Sequence, residues 1–191
     1  IGTNVAMLVG LDSIRRQVLD RVDAKPTAAQ IVEMRALVRE AMEGGAFGLS
    51  SALDYWGGHF ATTEEIIPLA EEVAPFGGMY VSHMRSEGTR SLWWVESYPS
   101  RRVTQLDAVS EIIDVGRAAG IPVHILHIKS TGLPFWGKSH LATDLIEEAR
   151  AEGIDVTANI YPYTASNPDR STQLFKWQAY LDDAAAGLTR E

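Results

Sequence analysis

The segment PVHILHI at residues 122–128 is a short apolar run that follows an amphipathic stretch at 105–119. Apolar runs of this length are typical of buried strands, whereas apolar residues recurring every three or four positions indicate a helix. The pair therefore predicts a helix followed by a strand, and the rest of the chain repeats this unit. Further apolar runs lie at 5–10, 46–50, 78–83 and 154–160, and further amphipathic stretches at about 27–43, 63–76, 139–152 and 173–186.

The stretch at 27–43 shows why these amphipathic segments are predicted to be helices. Its apolar residues recur at spacings of three and four, which places them on one stripe of a helix. Thr27 can cap the first turn, and Gly44 and Gly45 are expected to end the helix. The stripe consists of Ile31, Met34, Leu37, Val38 and Ala41.

Successive strand starts are separated by about 30–45 residues, which favours parallel strands joined by helical crossovers. Such units build either an open doubly wound sheet or part of a (β/α)8 barrel. A complete barrel usually takes about 250 residues, and this chain has 191. About five units in that length predict an incomplete TIM-like barrel. Because the chain begins at Ile1, we expect residues 1–191 to be the central part of one barrel domain, with N- and C-terminal parts missing.

The composition excludes several classes of protein. The net charge is −8 and the 17 Lys and Arg residues are scattered, which argues against a nucleic-acid partner. The absence of cysteine excludes disulfides and a thiolate ligand within the chain. No apolar run reaches the roughly 20 residues that cross a bilayer, so we expect no membrane association and a cytoplasmic location.

Two histidines lie near the ends of neighbouring predicted strands. His83 ends the run at 78–83 and His127 is the sixth residue of the run at 122–128. Side chains alternate along a strand, so each histidine is expected to share a face with the apolar residues two and four positions before it. The C-terminal ends of barrel strands carry the active site, and adjacent strands lie about 4.8 Å apart. Both imidazoles could therefore reach one metal ion, although hydrogen-bonded core histidines would fit the same pattern.

Three further residues follow these strands. Lys129 lies two positions beyond His127, where alternation would aim it in the same direction. An amine beside a metal site suits a substrate carboxylate, and an exposed loop lysine fits the spacing equally well. Tyr161 and Tyr163 place two phenols at the end of the last run, where they could orient a ligand or pack.

The remaining polar features have weaker signals. His59 is expected at the surface of a glycine-rich loop, His124 between sheet and helix, and His140 exposed near a helix start. The segment at 85–102 is an eighteen-residue loop rich in aromatic residues directly after a strand. Loops in that position line the active face of β/α folds, so we expect it to be functional.

Five motifs of the chain occur in a specific order. They are GAFGLSS at 45–51, YVSHMRSEG at 80–88, PVHILHIK at 122–129, WGK at 136–138 and YPYTAS at 161–166. Together they resemble the motifs of the N-acyl-D-amino-acid deacylases (D-aminoacylases) in the metal-dependent amidohydrolase superfamily. The resemblance covers about residues 1–166.

This resemblance implies a zinc enzyme on a TIM-like barrel, with one or two ions. Its substrate would be a small N-acyl-D-amino acid, cleaved at the amide by metal-activated water to a D-amino acid and a carboxylate. The resemblance assigns His83 and His127 as metal ligands and Lys129 to the substrate carboxylate. Tyr161 or Tyr163 is expected to assist Lys129.

The chain also departs from the family pattern. The family's His-x-His pair and bridging cysteine are expected upstream of Ile1, and its catalytic aspartate downstream of Glu191, so no catalytic residue is expected within the chain. Relatives commonly read VGHGSIR where this chain has VGLDSIR at 9–15, which replaces a histidine by Leu11. The isolated chain is therefore expected to be inactive. Two alternatives remain: a non-catalytic barrel fragment that binds a ligand or partner, and a lyase that uses Lys129 as a Schiff-base amine.

Overall fold

Parallel strands form a single sheet in which strands consecutive in the chain are neighbours. The computed structural model describes residues 2–55, 57–89 and 103–163. The strands are β1 (Val9–Gly10), β2 (Gly48–Ala52), β3 (Met79–His83), β4 (Val123–Ile125) and β5 (Val156–Ala158). The helices are α1 (Leu11–Val18), α2 (Ala28–Glu43), α3 (Thr63–Glu71), α4 (Gln105–Ala119) and α5 (Ser139–Ala151), with 3₁₀ turns at Gly58–Phe60, Ala74–Phe76 and Leu133–Phe135.

The strand order β1-β2-β3-β4-β5 confirms the predicted parallel α/β sheet with five units. A doubly wound sheet reverses its strand order at a switch point, and this sheet has no such reversal in the described ranges. A steady progression around the sheet is the order of strands in a β/α barrel. Within the same ranges the sheet has two open edges, at β1 and β5.

Helix α2 forms as its local sequence predicts. The Oγ1 atom of Thr27 accepts a hydrogen bond from the Gln30 backbone at 3.3 Å, and the Gln30 side chain accepts one from the Thr27 backbone at 2.9 Å. This reciprocal capping box satisfies two of the N–H groups that a helix start leaves unpaired. Met34 and Val38 on the predicted stripe are fully buried, and Gly44 ends the helix.

Several strands are shorter than the apolar runs that predicted them. The runs at 122–128 and 154–160 contribute only Val123–Ile125 and Val156–Ala158. The run at 5–10 contributes only Val9–Gly10. Residues just outside these strands still form single backbone hydrogen bonds across the sheet, as Leu126 does in donating to the Ser82 carbonyl at 3.0 Å.

Helix α1 was not expected, because it has only eight residues and five of them are polar. It is amphipathic all the same, and Leu11 and Ile14 are buried. Leu11, which stands where the resembled motif has a histidine, is part of the hydrophobic core. The predicted helix at 63–76 ends earlier, at Glu71. The predicted helix at 173–186 lies outside the described residues.

The two faces of the sheet differ in what covers them. Residues paired across neighbouring parallel strands share a face, and Leu49, Tyr80 and Val123 form one such row. All three are fully buried in the core that the helices cover. The opposite face, which a closed barrel would enclose, carries Val81 beside His124.

A cluster of hydroxyls lies within the covered face. The Oγ atom of Ser51 is 2.6 Å from the Tyr80 hydroxyl and donates a hydrogen bond to Ser82 Oγ at 2.9 Å. Burial raises the pKa of Tyr80 to about 12. The phenol therefore stays protonated and hydrogen-bonded near neutral pH. Among the helices of the described ranges, none is long and apolar enough to cross a bilayer.

Candidate metal centre

The C-terminal ends of β3 and β4 bring two imidazoles together. His83 is the last residue of β3, and His127 lies two residues beyond the end of β4. The two strands are direct neighbours, with Ser82 opposite Ile125. As a result, Nδ1 of His83 lies 2.9 Å from Nε2 of His127. The two strands are neighbours, as the prediction required, and the two imidazoles lie in contact.

The position of His127, however, does not follow from strand alternation, and that prediction was wrong. Val123 and Ile125 are completely buried in the helix-covered core, so alternation would place His127 on the same side. Instead, β4 ends at Ile125 and His127 has a φ of 36°, a left-handed conformation. The Asn159 side chain accepts a hydrogen bond from the His127 backbone, and the Asn159 carbonyl accepts one from Ile128 at 2.8 Å. These bonds hold the turn that directs His127 towards His83.

A carboxylate completes the cluster. Glu87 Oε1 lies 3.3 Å from His127 Nδ1 and 3.9 Å from His83 Nε2. His83, Glu87 and His127 each offer one ligand atom, and these atoms lie within 4.8 Å of one another. Sequence reasoning gave Glu87 no role. Its spacing of four residues from His83, directly after a strand, was the only signal for it.

The chemistry of this cluster fits a zinc ion. Imidazole nitrogens are zinc donors, and two nitrogens on one tetrahedral ion lie about 3.3 Å apart. The facing nitrogens of His83 and His127 need only a small outward shift to reach that separation. Burial, with smaller effects of Lys129 and His83, lowers the pKa of His127 despite Glu87, which favours the neutral, ligating imidazole.

The structure also places Lys129 and Tyr161 beside the histidines. Nζ of Lys129 forms an ion pair with Glu87 and lies 3.0 Å from Nδ1 of His127. The same ammonium is 5.3 Å from the centroid of the Tyr161 ring, a cation–π distance. Tyr163 lies one ring further out, 6.5 Å from Tyr161 between centroids, and is 75% exposed.

The loop after β2 supplies one wall of the site. Asp54 is buried, and its Oδ2 atom lies 3.9 Å from His83 Nε2. The ring of Tyr55 is 4.8 Å from that of His83 between centroids. Three consecutive strand ends therefore contribute to one site, as expected at the C-terminal face of a β/α barrel.

Behind the site, Arg85 anchors the start of the loop at 85–102. Its guanidinium forms two hydrogen bonds with the Glu111 carboxylate, at 2.8 and 2.9 Å, and donates to the carbonyl of Ala61 at 2.6 Å. Both charged side chains are buried. The predicted functional loop is described only to residue 89, and the remainder lies outside the described residues.

The cluster does not include the other three histidines, all of which lie in the described residues. His59 is only 1% exposed, so the predicted surface position is wrong; its carbonyl accepts a hydrogen bond from Arg85 at 2.8 Å. His124 was predicted to lie between sheet and helix, and that prediction was wrong. It is partly exposed on the opposite face, where Nδ1 lies 2.7 Å from Thr157 Oγ1. His140 is exposed, as predicted.

Strand-end histidines at the C-terminal edge of a parallel β/α sheet, with a carboxylate and a lysine beside them, form a candidate metal centre. No family model matches the chain. The chain is 35% identical over 164 residues to a D-aminoacylase of Alcaligenes xylosoxydans xylosoxydans, a match that covers 86% of this chain and 31% of the relative. It is also 35% identical over 175 residues to an N-acyl-D-glutamate deacylase of the same organism, covering 90% of this chain and 33% of the relative.

Solved structures support the same relationship. A D-aminoacylase, described as defining a novel subset of amidohydrolases, superimposes with a TM-score of 0.74 at 34% identity and covers 86% of this chain and 31% of that one. An N-acyl-D-glutamate deacylase from Bordetella bronchiseptica, complexed with zinc and a phosphonate inhibitor, gives 0.72 at 33% identity and covers 84% and 31%. The chain is therefore homologous to the D-aminoacylases and N-acyl-D-glutamate deacylases, as its motifs predicted. It spans about a third of the length of these curated relatives.

Proposed function

We propose that this protein is a zinc-dependent N-acyl-D-amino-acid deacylase, which hydrolyses the amide bond to release a D-amino acid and a carboxylate. The observation that carries the proposal is the pair of facing nitrogens on His83 and His127, 2.9 Å apart at adjacent strand ends. The homology supports it, because a zinc complex exists for a related deacylase. In this proposal residues 1–191 form the central part of a (β/α)8 barrel.

The metal ligands in this proposal are His83 and His127, which would hold one or two zinc ions through their facing nitrogens. Zinc at such a site supplies Lewis acidity and makes hydroxide available near neutral pH. Both rings are oriented by the protein: Asn159 holds the turn at His127, and Tyr55 packs beside His83. Ligands held in this way need little rearrangement to bind the ion.

Lys129 would hold the substrate carboxylate. Its ammonium is 3.0 Å from Nδ1 of His127, so a carboxylate bound there lies next to the metal ligands. An N-acyl-amino acid carries its carboxylate and its amide on the same carbon. Fixing the carboxylate at Lys129 and the acyl carbonyl at the histidines would hold the amide bond beside the metal ligands. Tyr161, beneath the ammonium, would restrict the movement of Lys129, with Tyr163 further out.

The geometry argues against the lyase alternative. A Schiff-base lysine is activated in an apolar pocket or beside another cation. Lys129 instead forms an ion pair with the carboxylate of Glu87.

The test is a deacylase assay on the intact gene product, loaded with zinc. We expect release of leucine from N-acetyl-D-leucine, little release from the L enantiomer, loss of activity with a chelator and recovery with zinc. If the zinc-loaded protein turned over neither enantiomer, deacylase activity on this substrate would be excluded. A non-catalytic barrel would then be favoured. Adduct formation with a carbonyl compound and borohydride would instead support the lyase.

A further inference from the structure

Glu87 lies on the outer side of the histidine pair. The facing nitrogens are Nδ1 of His83 and Nε2 of His127, whereas Glu87 Oε1 lies near the other nitrogen of each ring, at 3.9 and 3.3 Å. A carboxylate at the non-ligating nitrogen of a ligand histidine is a recurrent outer partner in metal sites. Glu87 therefore occupies the place of a supporting carboxylate, and its direct partner is Lys129.

The ion pair with Glu87 leaves two donors of Lys129 for a ligand. A lysine ammonium has three N–H donors, and Glu87 takes one of them. A neutral His127 that binds zinc through Nε2 carries its ring proton on Nδ1, which lies 3.3 Å from Glu87 and does not accept from Lys129. The side chains of Lys129 and Glu87 are only 18% and 16% exposed, so solvent screens the pair weakly. The ammonium is therefore held in one place with two donors to spare, which lowers the entropy cost of binding a carboxylate.

The backbone around Glu87 is held by a clamp between the loops after β3 and β4. The carbonyl of Glu87 accepts hydrogen bonds from the backbone and hydroxyl of Thr131, at 2.7 and 2.9 Å. The carbonyl of Gly88 accepts one from the Gln105 backbone at 2.8 Å. The Gln105 side chain in turn donates to the Lys129 carbonyl at 2.6 Å. Both members of the ion pair thus belong to one hydrogen-bonded unit.

From this arrangement we propose that Glu87 is a positioning residue, which holds the Lys129 ammonium where it binds the substrate carboxylate. The inference rests on the proposed function, because it assigns a partner to the residue that recognises the substrate. Glu87 acts on substrate binding through Lys129, and it is not a ligand of the metal.

The experiment compares Glu87→Gln with wild type in the zinc-loaded intact gene product. The probes are N-acetyl-D-leucine and N-(3-methylbutyl)acetamide, which lacks the carboxylate and is measured as an inhibitor. We expect the KM for N-acetyl-D-leucine to rise about tenfold, the value of one charge-assisted hydrogen bond. We expect kcat to change by less than about twofold, the inhibition constant of the amide to stay the same, and the zinc content to stay the same.

Three further variants separate positioning from a general structural effect. Glu148→Gln makes the same change at an exposed position of α5 and should leave KM unaltered. Glu87→Asp keeps the charge and should restore part of the lost affinity. Thr131→Val removes a bond to the Glu87 carbonyl and should raise KM in the same direction, by a smaller factor, even if Glu87→Gln does not fold.

The outcomes distinguish this inference from the function on which it rests. An active wild type with an unchanged KM in Glu87→Gln overturns the positioning role alone. Loss of zinc from Glu87→Gln also overturns it, because that result shows that Glu87 acts on the metal site, directly or through the histidines, and not on Lys129 alone. A wild type that neither binds nor cleaves N-acetyl-D-leucine overturns the proposed function, and the inference with it.

Discussion

Nδ1 of His83 lies 2.9 Å from Nε2 of His127, although 44 positions separate the two residues in the chain. The contact depends on the pairing of β3 with β4 and on the left-handed turn at His127. Both rings lie at the C-terminal edge of the sheet. Substitutions at this edge should therefore affect metal and substrate binding before they affect the fold.

Replacing either histidine should remove the metal. His83→Ala and His127→Ala are each expected to lose about one zinc ion per protein molecule, because two imidazoles supply half of a tetrahedral set. Deacylation of N-acetyl-D-leucine should fall to background. Zinc is measured by elemental analysis after dialysis. His140→Ala, at an exposed position, should retain the wild-type content. Full zinc retention in His83→Ala would contradict the assignment.

Lys129→Met should weaken substrate binding more than turnover. The side chain keeps its length but loses the cation, so we expect KM to rise about 10- to 100-fold, as for loss of a charge-assisted hydrogen bond. Steady-state kinetics with N-acetyl-D-leucine measure the change. Lys25→Met removes the charge of an exposed lysine and is the control. Equal KM values in the two variants would show that Lys129 does not recognise the carboxylate.

Gly88→Ala should separate the loops after β3 and β4. A Cβ atom at Gly88 would lie 2.6 Å from Oγ1 and 2.7 Å from the carbonyl oxygen of Thr131, and the backbone oxygen cannot move without moving its loop. The expected cost is about 1–3 kcal/mol in the free energy of unfolding, with a rise in KM. Urea unfolding measures the first effect. Gly10→Ala, where the nearest atom is at 3.4 Å, should be milder in both respects.

Arg85→Met should destabilise the fold strongly. It leaves the buried Glu111 carboxylate without its main cationic partner, and breaking a buried ion pair costs about 3–5 kcal/mol. Two backbone carbonyls, of His59 and Ala61, also lose their donor. Denaturant unfolding tests this, with Arg150→Met, from an exposed pair, as the control. Equal effects of the two substitutions would contradict a structural role for Arg85.

Tyr80 should make stability fall at alkaline pH. Burial raises its pKa from 10.0 to about 12, so its contribution is complete below the unfolded value and is lost as the pH rises towards 12. Tyr80→Phe should be less stable at neutral pH and should lose this part of the decline above pH 10. Urea unfolding at several pH values measures the slope. Tyr163→Phe, at an exposed position, should keep the wild-type slope.

Local signals predicted much of the fold. The capping residues and apolar stripe of α2 interact over three or four positions, so the chain alone specifies that helix. The repeat of strand and helix predicted the parallel sheet, and the position of His83 followed from alternation in a regular strand. The same reasoning failed for α1, whose two turns are too short to give a clear period.

What the sequence by itself determined was therefore the order of elements, the homologous motifs and the strand-end position of the histidines. Only the tertiary structure decided how they meet. The turn at His127 is held by Asn159, 32 residues away, and the partner of Lys129 is Glu87, 42 residues away. The loop that contains the buried His59 accepts a hydrogen bond from Arg85, which follows another strand. Such contacts have no local pattern, because hydrogen bonds and ion pairs between distant segments form only when the sheet has brought those segments together.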